Sequence, residues 1–91
     1  MALYLISYDI SEKNNDYEEL YALLKKWKAD RILYSEWLVI SNSSAKELAD
    51  EIVATIESGD RLLVQEMNRD AAWLNLRIKD ESFEKWLAYA E

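Results

Sequence analysis

Arg31-Ile32-Leu33-Tyr34-Ser35-Glu36-Trp37-Leu38-Val39-Ile40-Ser41 is the stretch on which the architecture turns. It is rich in β-branched and aromatic residues, which suit a pleated, half-buried surface. It holds no Gly, Asn or Pro to make a tight turn. It reads either as one long bent strand or as two strands meeting near Ser35-Glu36. What flanks it is clearer. Upstream, Tyr17, Leu20, Tyr21, Leu24 and Trp27 recur at helical spacing. Asn15 is placed to cap that helix, with Glu18 three residues later. Asp16, Glu18 and Glu19 at its start and Lys25, Lys26 and Lys28 at its end match the helix dipole. Further upstream, residues 2–8 are apolar on both faces, which marks a central strand. It gives way to the polar loop Asp9-Ile10-Ser11-Glu12-Lys13-Asn14-Asn15.

Downstream, Ser44 and Glu47 form a second capping pair. Ala45, Leu48, Ala49, Ile52, Val53 and Ile56 make the second helical stripe, and Gly59 is expected to close it. Leu62 to Met67 reads as another strand, and Asn68-Arg69-Asp70 as a turn. Residues 71–78 fit either a helical turn or an edge strand. Asp80 is expected to cap a short helix carrying Phe83, Trp86, Leu87 and Ala90. The order is β-α-β-β-α-β, an α+β ferredoxin-like plait with a C-terminal extension. One domain spans residues 1–91, its core about 2–67 and its tail about 68–91. Two helices cover one sheet face. The other needs the tail or a second chain, and a tail exchanged onto a dimer partner is the favoured expectation.

Composition limits the chemistry. Of 91 residues, 51% are hydrophobic and 32% charged, an ordinary globular mixture. There is no cysteine and no histidine. Thiol nucleophiles, thiolate metal sites, imidazole bases and Ser-His-Asp triads are therefore excluded. A metal here must be held by oxygen, as Mg²⁺, Mn²⁺ or Ca²⁺ are. The single glycine rules out glycine-rich phosphate loops. The net charge of −7 opposes nucleic acid in its overall field. Nothing at the start resembles a secretion signal, and no apolar run reaches membrane-spanning length, so a cytoplasmic protein without membrane contact is expected.

Asp9, at the end of the first strand, is the candidate metal ligand and catalytic residue. One carboxylate holds Mg²⁺ poorly, and a two-fold dimer would supply a second. The competing role is a bond to its own loop. Lys25, Lys26, Lys28 and Arg31 are the one basic cluster, suited to phosphate contact or simply to the helix dipole. Eleven aromatics, four of them Trp, exceed what a core this size usually holds. Without a basic groove they favour a protein interface over base stacking.

Tyr8-Asp9-Ile10-Ser11 after an apolar first strand resembles the opening of the CRISPR-associated protein 2 family. Tyr34-Ser35-Glu36-Trp37 resembles that family's Ser-hydrophobic-Phe motif, with Trp37 for Phe and Glu36 for the hydrophobic residue. Asp16-Tyr17-x-x-Leu20-Tyr21 and Ala71-x-Trp73-x-Asn75-Leu76 are similar to related small proteins labelled SinR-like. The likeness spans about residues 3–76. It implies a homodimer with Asp9 as ligand for Mg²⁺ and, if an enzyme, a metal-dependent nuclease. Nucleic-acid or partner contacts are expected through Ser11, Lys25, Lys26, Lys28, Arg31, Ser35 and Trp37, of which the resemblance itself matches Ser35 and Trp37 to motif positions. The charge supports a different class, a non-catalytic acidic module that binds a protein partner or mimics nucleic acid.

Overall fold

The computed structural model describes residues 1–11 and 16–91. Among them the elements are β1 (Ala2–Asp9), α1 (Glu18–Lys26), β2 (Asp30–Leu33), β3 (Glu36–Ser41), α2 (Ala45–Val53), β4 (Arg61–Glu66) and α3 (Asp80–Leu87). They form an α+β domain around one four-stranded antiparallel sheet, ordered β2-β3-β1-β4.

The 31–41 stretch is two strands. Tyr34 and Ser35 make the turn, and neither takes a positive φ. A primed hairpin turn is thus absent, and the register shifts instead. Arg31 pairs with Trp37 and Leu33 with Glu36, so Ile32 is an extra residue on β2. Arg31 holds the turn. Its Nε donates to the Tyr34 carbonyl at 2.8 Å, and its Nη2 donates to the same oxygen. Its guanidinium lies 5.3, 4.9 and 5.5 Å from the rings of Tyr21, Tyr34 and Trp37.

The helix ends follow local hydrogen bonding, with corrections to the sequence reading. Asn15, the expected first cap, and Glu12-Lys13-Asn14 lie outside the described residues. The helix itself begins at Glu18, so Glu18 is its first residue and not the third position of a capping box. Tyr17 is the N-cap, at φ 57 and with no side-chain cap bond. At the other end Lys28 N–H reaches the Lys25 carbonyl at 2.9 Å and Ala29 N–H the Leu24 carbonyl at 3.0 Å. That is a Schellman closure with Lys28 at φ 60 where glycine is usual. The Ser44–Glu47 capping box of α2 is complete in both directions. Gly59 does not end α2. The helix stops at Val53, and Thr55 caps the Ile52 carbonyl with its N–H at 2.8 Å and its hydroxyl at 2.7 Å.

β1 alternates between two cores. Tyr4, Ile6 and Tyr8 pack with Tyr17, Leu20, Leu24, Trp37, Val39, Leu48 and Ile52. Leu3 packs on the opposite face with Ile32, Leu38, Phe83 and Ala90, joined by Trp73, Leu76, Trp86 and Leu87. In this chain the second layer is its own tail. The favoured expectation set the tail on a dimer partner; here the apolar stripe of α3 packs on its own sheet. Residues 71–78 are neither helix nor strand. They run along the β2 edge, where Arg77 N–H donates to the Ile32 carbonyl at 2.9 Å. Asp80 is the first residue of α3 rather than its cap, which is Lys79. Its carboxylate accepts the Trp73 indole N–H at 3.0 Å. Trp86 donates to Asp30 on β2 at 2.8 Å, and Arg69 Nε donates to the Ala90 carbonyl at 3.0 Å. Among the described residues no helix is long and apolar enough to cross a membrane.

Phe83 is 3% exposed and sits edge-on to Trp73, with ring centroids 4.6 Å apart. Phe83→Ala is expected to lower unfolding free energy by about 3–5 kcal/mol in urea titration. A loss under about 1 kcal/mol would show that the tail does not hold the second layer. Lys28→Gly removes the left-handed penalty and is expected to raise stability by about 0.5–1 kcal/mol in the same assay.

Candidate functional site

The tail covers only part of its sheet face. Leu3, Leu38 and Ile32 are buried beneath it, while the far end of that face carries Ser7, Asp9, Glu36, Arg61 and Leu63. These residues lie together because β1 is central: Ser7 is opposite both Glu36 and Leu63, and Asp9 is opposite Arg61. Ser7 Oγ donates to Glu36 Oε2 at 3.0 Å. Asp9 and Arg61 approach to 3.7 Å with side chains 77% and 83% exposed, a pairing worth little in water. A shallow cleft of about 220 Å³ is bordered by Ser7, Tyr8, Asp9, Arg61, Leu62 and Leu63.

The expected site residues separate into four places. Asp9 stands at the open strand end. Arg31, Ser35 and Trp37 share the β2–β3 turn and serve the fold there. The Ser35 carbonyl accepts from Tyr8 N–H at 3.1 Å. Trp37 is 6% exposed, gives its indole N–H to the Tyr8 hydroxyl at 2.8 Å and stacks on Tyr21 at 6.2 Å. Lys25, Lys26 and Lys28 are exposed at the far end of α1, a helix of nine residues. That is about 13 Å from the helix start, which adjoins the β4 entry. The lysines and Asp9 are thus not brought together. Ser11 is exposed, and its backbone N–H donates to Asp60 at 3.3 Å.

A divalent ion fits poorly within one chain. Among the described residues no three Asp or Glu side chains converge as a metal site. Asp9 is a single exposed carboxylate that already faces a guanidinium. Mg²⁺ prefers several oxygens in octahedral array and dehydrates reluctantly.

The best-organised carboxylate is Asp60, which the sequence reading passed over. It accepts the Tyr17 hydroxyl at 2.8 Å, Glu57 N–H at 2.8 Å and Ser11 N–H at 3.3 Å. It thereby ties the end of β1, the start of α1 and the turn before β4. Desolvation pushes its carboxyl up, but the bonds from Glu57, Tyr17 and Ser11 outweigh this and hold it below the ordinary 3.8. Burial, then the bond to Asp60 and its charge, push the Tyr17 phenol up to about 12. Burial likewise raises Tyr8, against the Trp37 bond that lowers it. The signal for Asp60 was its place after Gly59 at a turn, where aspartate commonly accepts from nearby backbone N–H groups. No protein-family model matches the chain.

The two shifts set opposite flanks of stability. Asp60 is lowered on folding, so its contribution is present above pH 3.8 and is lost as pH falls through its folded value. Tyr17 is raised from 10.0, so its contribution is full below that pH and is lost towards about 12. Asp60→Asn is expected to flatten the acid limb of a stability–pH curve, and Tyr17→Phe the alkaline limb. Unchanged slopes in both variants would show that this pair does not govern them.

Proposed function

We propose that this chain is a non-catalytic interaction module on a ferredoxin-like plait, which offers an acidic surface to a basic protein partner in the cytoplasm. The observation that carries this reading is how the charges are used. Arg31 is held among aromatic rings and Arg69 by tail carbonyls. Arg61 faces Asp9, and Lys46 faces Asp50 at 3.0 Å. Glu18, Glu19, Glu51, Glu57, Glu66 and Glu84 are all exposed. The two ion pairs cancel one for one and the lysines at the end of α1 are exposed as well, so what the surface shows outward is the excess of acids over bases, net −7. Such a field attracts basic surfaces and repels phosphate. Mimicry of nucleic acid is one form this role takes.

A second reading has one specific observation in its favour. The strand order β2-β3-β1-β4 with an exposed aspartate closing β1 accords with the CRISPR-associated protein 2 resemblance. On that reading a homodimer pairs two Asp9 side chains to hold Mg²⁺, the group that would activate water. The lone carboxylate, its arginine neighbour and the acidic field weigh against it.

The deciding measurement is oligonucleotide cleavage with Mg²⁺ by wild type and Asp9→Ala. Both are expected to give background rates, with no retention of duplex DNA at physiological salt. Metal-dependent cleavage that disappears in Asp9→Ala would overturn the module reading and install the nuclease.

A further inference from the structure

We propose that the outer edge of β4 is a docking strand, and that its occupant is an extended, positively charged segment of another protein added as a fifth strand. This rests on the interaction-module reading and names where the partner docks and in what form.

The backbone parity of β4 follows from two bonds. Tyr8 N–H reaches Ser35 on the β3 side, so the even-numbered residues of β1 turn their backbone groups towards β3. Met67 N–H reaches the Leu3 carbonyl at 2.9 Å, so the odd-numbered ones serve β4. In the register Leu5↔Gln65, Ser7↔Leu63 and Asp9↔Arg61, the odd residues of β4 then face inward. Leu62, Val64 and Glu66 turn N–H and C=O outward. Among the described residues no backbone bond outside the sheet reaches these three.

The sheet's two edges are treated differently. β2 is four residues long, bulged at Ile32, and has a carbonyl taken by Arg77 N–H. Those are common ways of blunting an edge. β4 is six residues long, pairs with β1 without a register break, and contains neither proline nor lysine. Leu63 stands 55% exposed on the face the tail leaves open. An added strand would pair with the three outward residues and cover Leu63 with one apolar side chain.

Charge selects the occupant. Glu57 precedes the strand, Arg61 at its start is set against Asp9, and Glu66 shares a shallow cleft with Glu91 at its end. A second copy would bring the same carboxylates and another −7 to this edge. A segment with alternating apolar residues and Lys or Arg at its ends complements both the leucine and the acids.

The probe is the peptide acetyl-Lys-Lys-Val-Thr-Val-Thr-Val-Lys-Lys-amide, added to the isotope-labelled chain and followed by amide hydrogen exchange. Exchange at Leu62, Val64 and Glu66 is expected to slow by at least about tenfold, with Leu63 and Gln65 little changed. Leu63→Lys should weaken binding by about tenfold or more while leaving thermal unfolding unaltered. A version with glutamate for lysine should not bind. Binding that leaves the three amides unprotected would overturn the edge site, while the module reading would stand or fall on the cleavage experiment. Protection already present without peptide and growing with protein concentration would overturn the proposal in favour of a second copy.

Discussion

The structure depends on burying both faces of β1. Leu3 and Ile6 are each fully buried, on opposite sides of the same strand. A strand apolar on both sides needs a layer on each, since neither face gains from water. α1 and α2 supply one layer. The chain beyond β4 must return to supply the other, and this makes residues 68–91 part of the fold rather than an appendage. A helix the length of α3 would be marginal alone, so its order comes from the face it covers.

Three of the four tryptophans are absorbed by the same requirement, while Tyr34 and Tyr89 stay exposed. Indole N–H groups brought near a core need acceptors. Trp37 finds the Tyr8 hydroxyl, Trp73 finds Asp80 and Trp86 finds Asp30. Two of these bonds join distant parts of the chain, β3 to β1 and α3 to β2, and the third ties the irregular segment to the start of α3 seven residues on. Periodicity in the sequence identified the buried residues of both helices and the stripe of α3. It could not say on which chain that stripe docks, because hydrophobic spacing carries no address. The Trp86–Asp30 bond does carry one, but it spans 56 positions and leaves no local pattern.

The site was legible to a different degree. Asp9 at the end of the first strand, and the capping box at Ser44, were readable because they depend on neighbours in sequence. The division of the basic cluster was not. Arg31 adjoins the lysines in sequence, yet its side chain lies among Tyr21, Tyr34 and Trp37 while theirs are solvated. Cation–π contacts between strand and helix depend on sheet register, and that register was set by a bulge that composition does not announce. Asp60 escaped notice for a related reason: two of its three donors, Tyr17 and Ser11, lie more than 40 positions away.

The placement of the tail also accounts for what remains exposed. Its anchors, Arg77 on Ile32 and Trp86 on Asp30, are both on β2. The tail therefore seals the β2 edge and the β2–β3 portion of its face. It leaves the first half of β4 uncovered, so Leu63, Arg61 and the Asp9 end of β1 stay in water. Blunting one edge fixes the position of the open one, because a sheet that does not close has two. The polar side chains that wire the layers together, Asp30, Asp60, Asp80, Arg31 and Arg69, are committed to that wiring. Recognition is left to the groups that folding did not use: the outward backbone of one strand, one exposed leucine beside it, and the carboxylates at its ends.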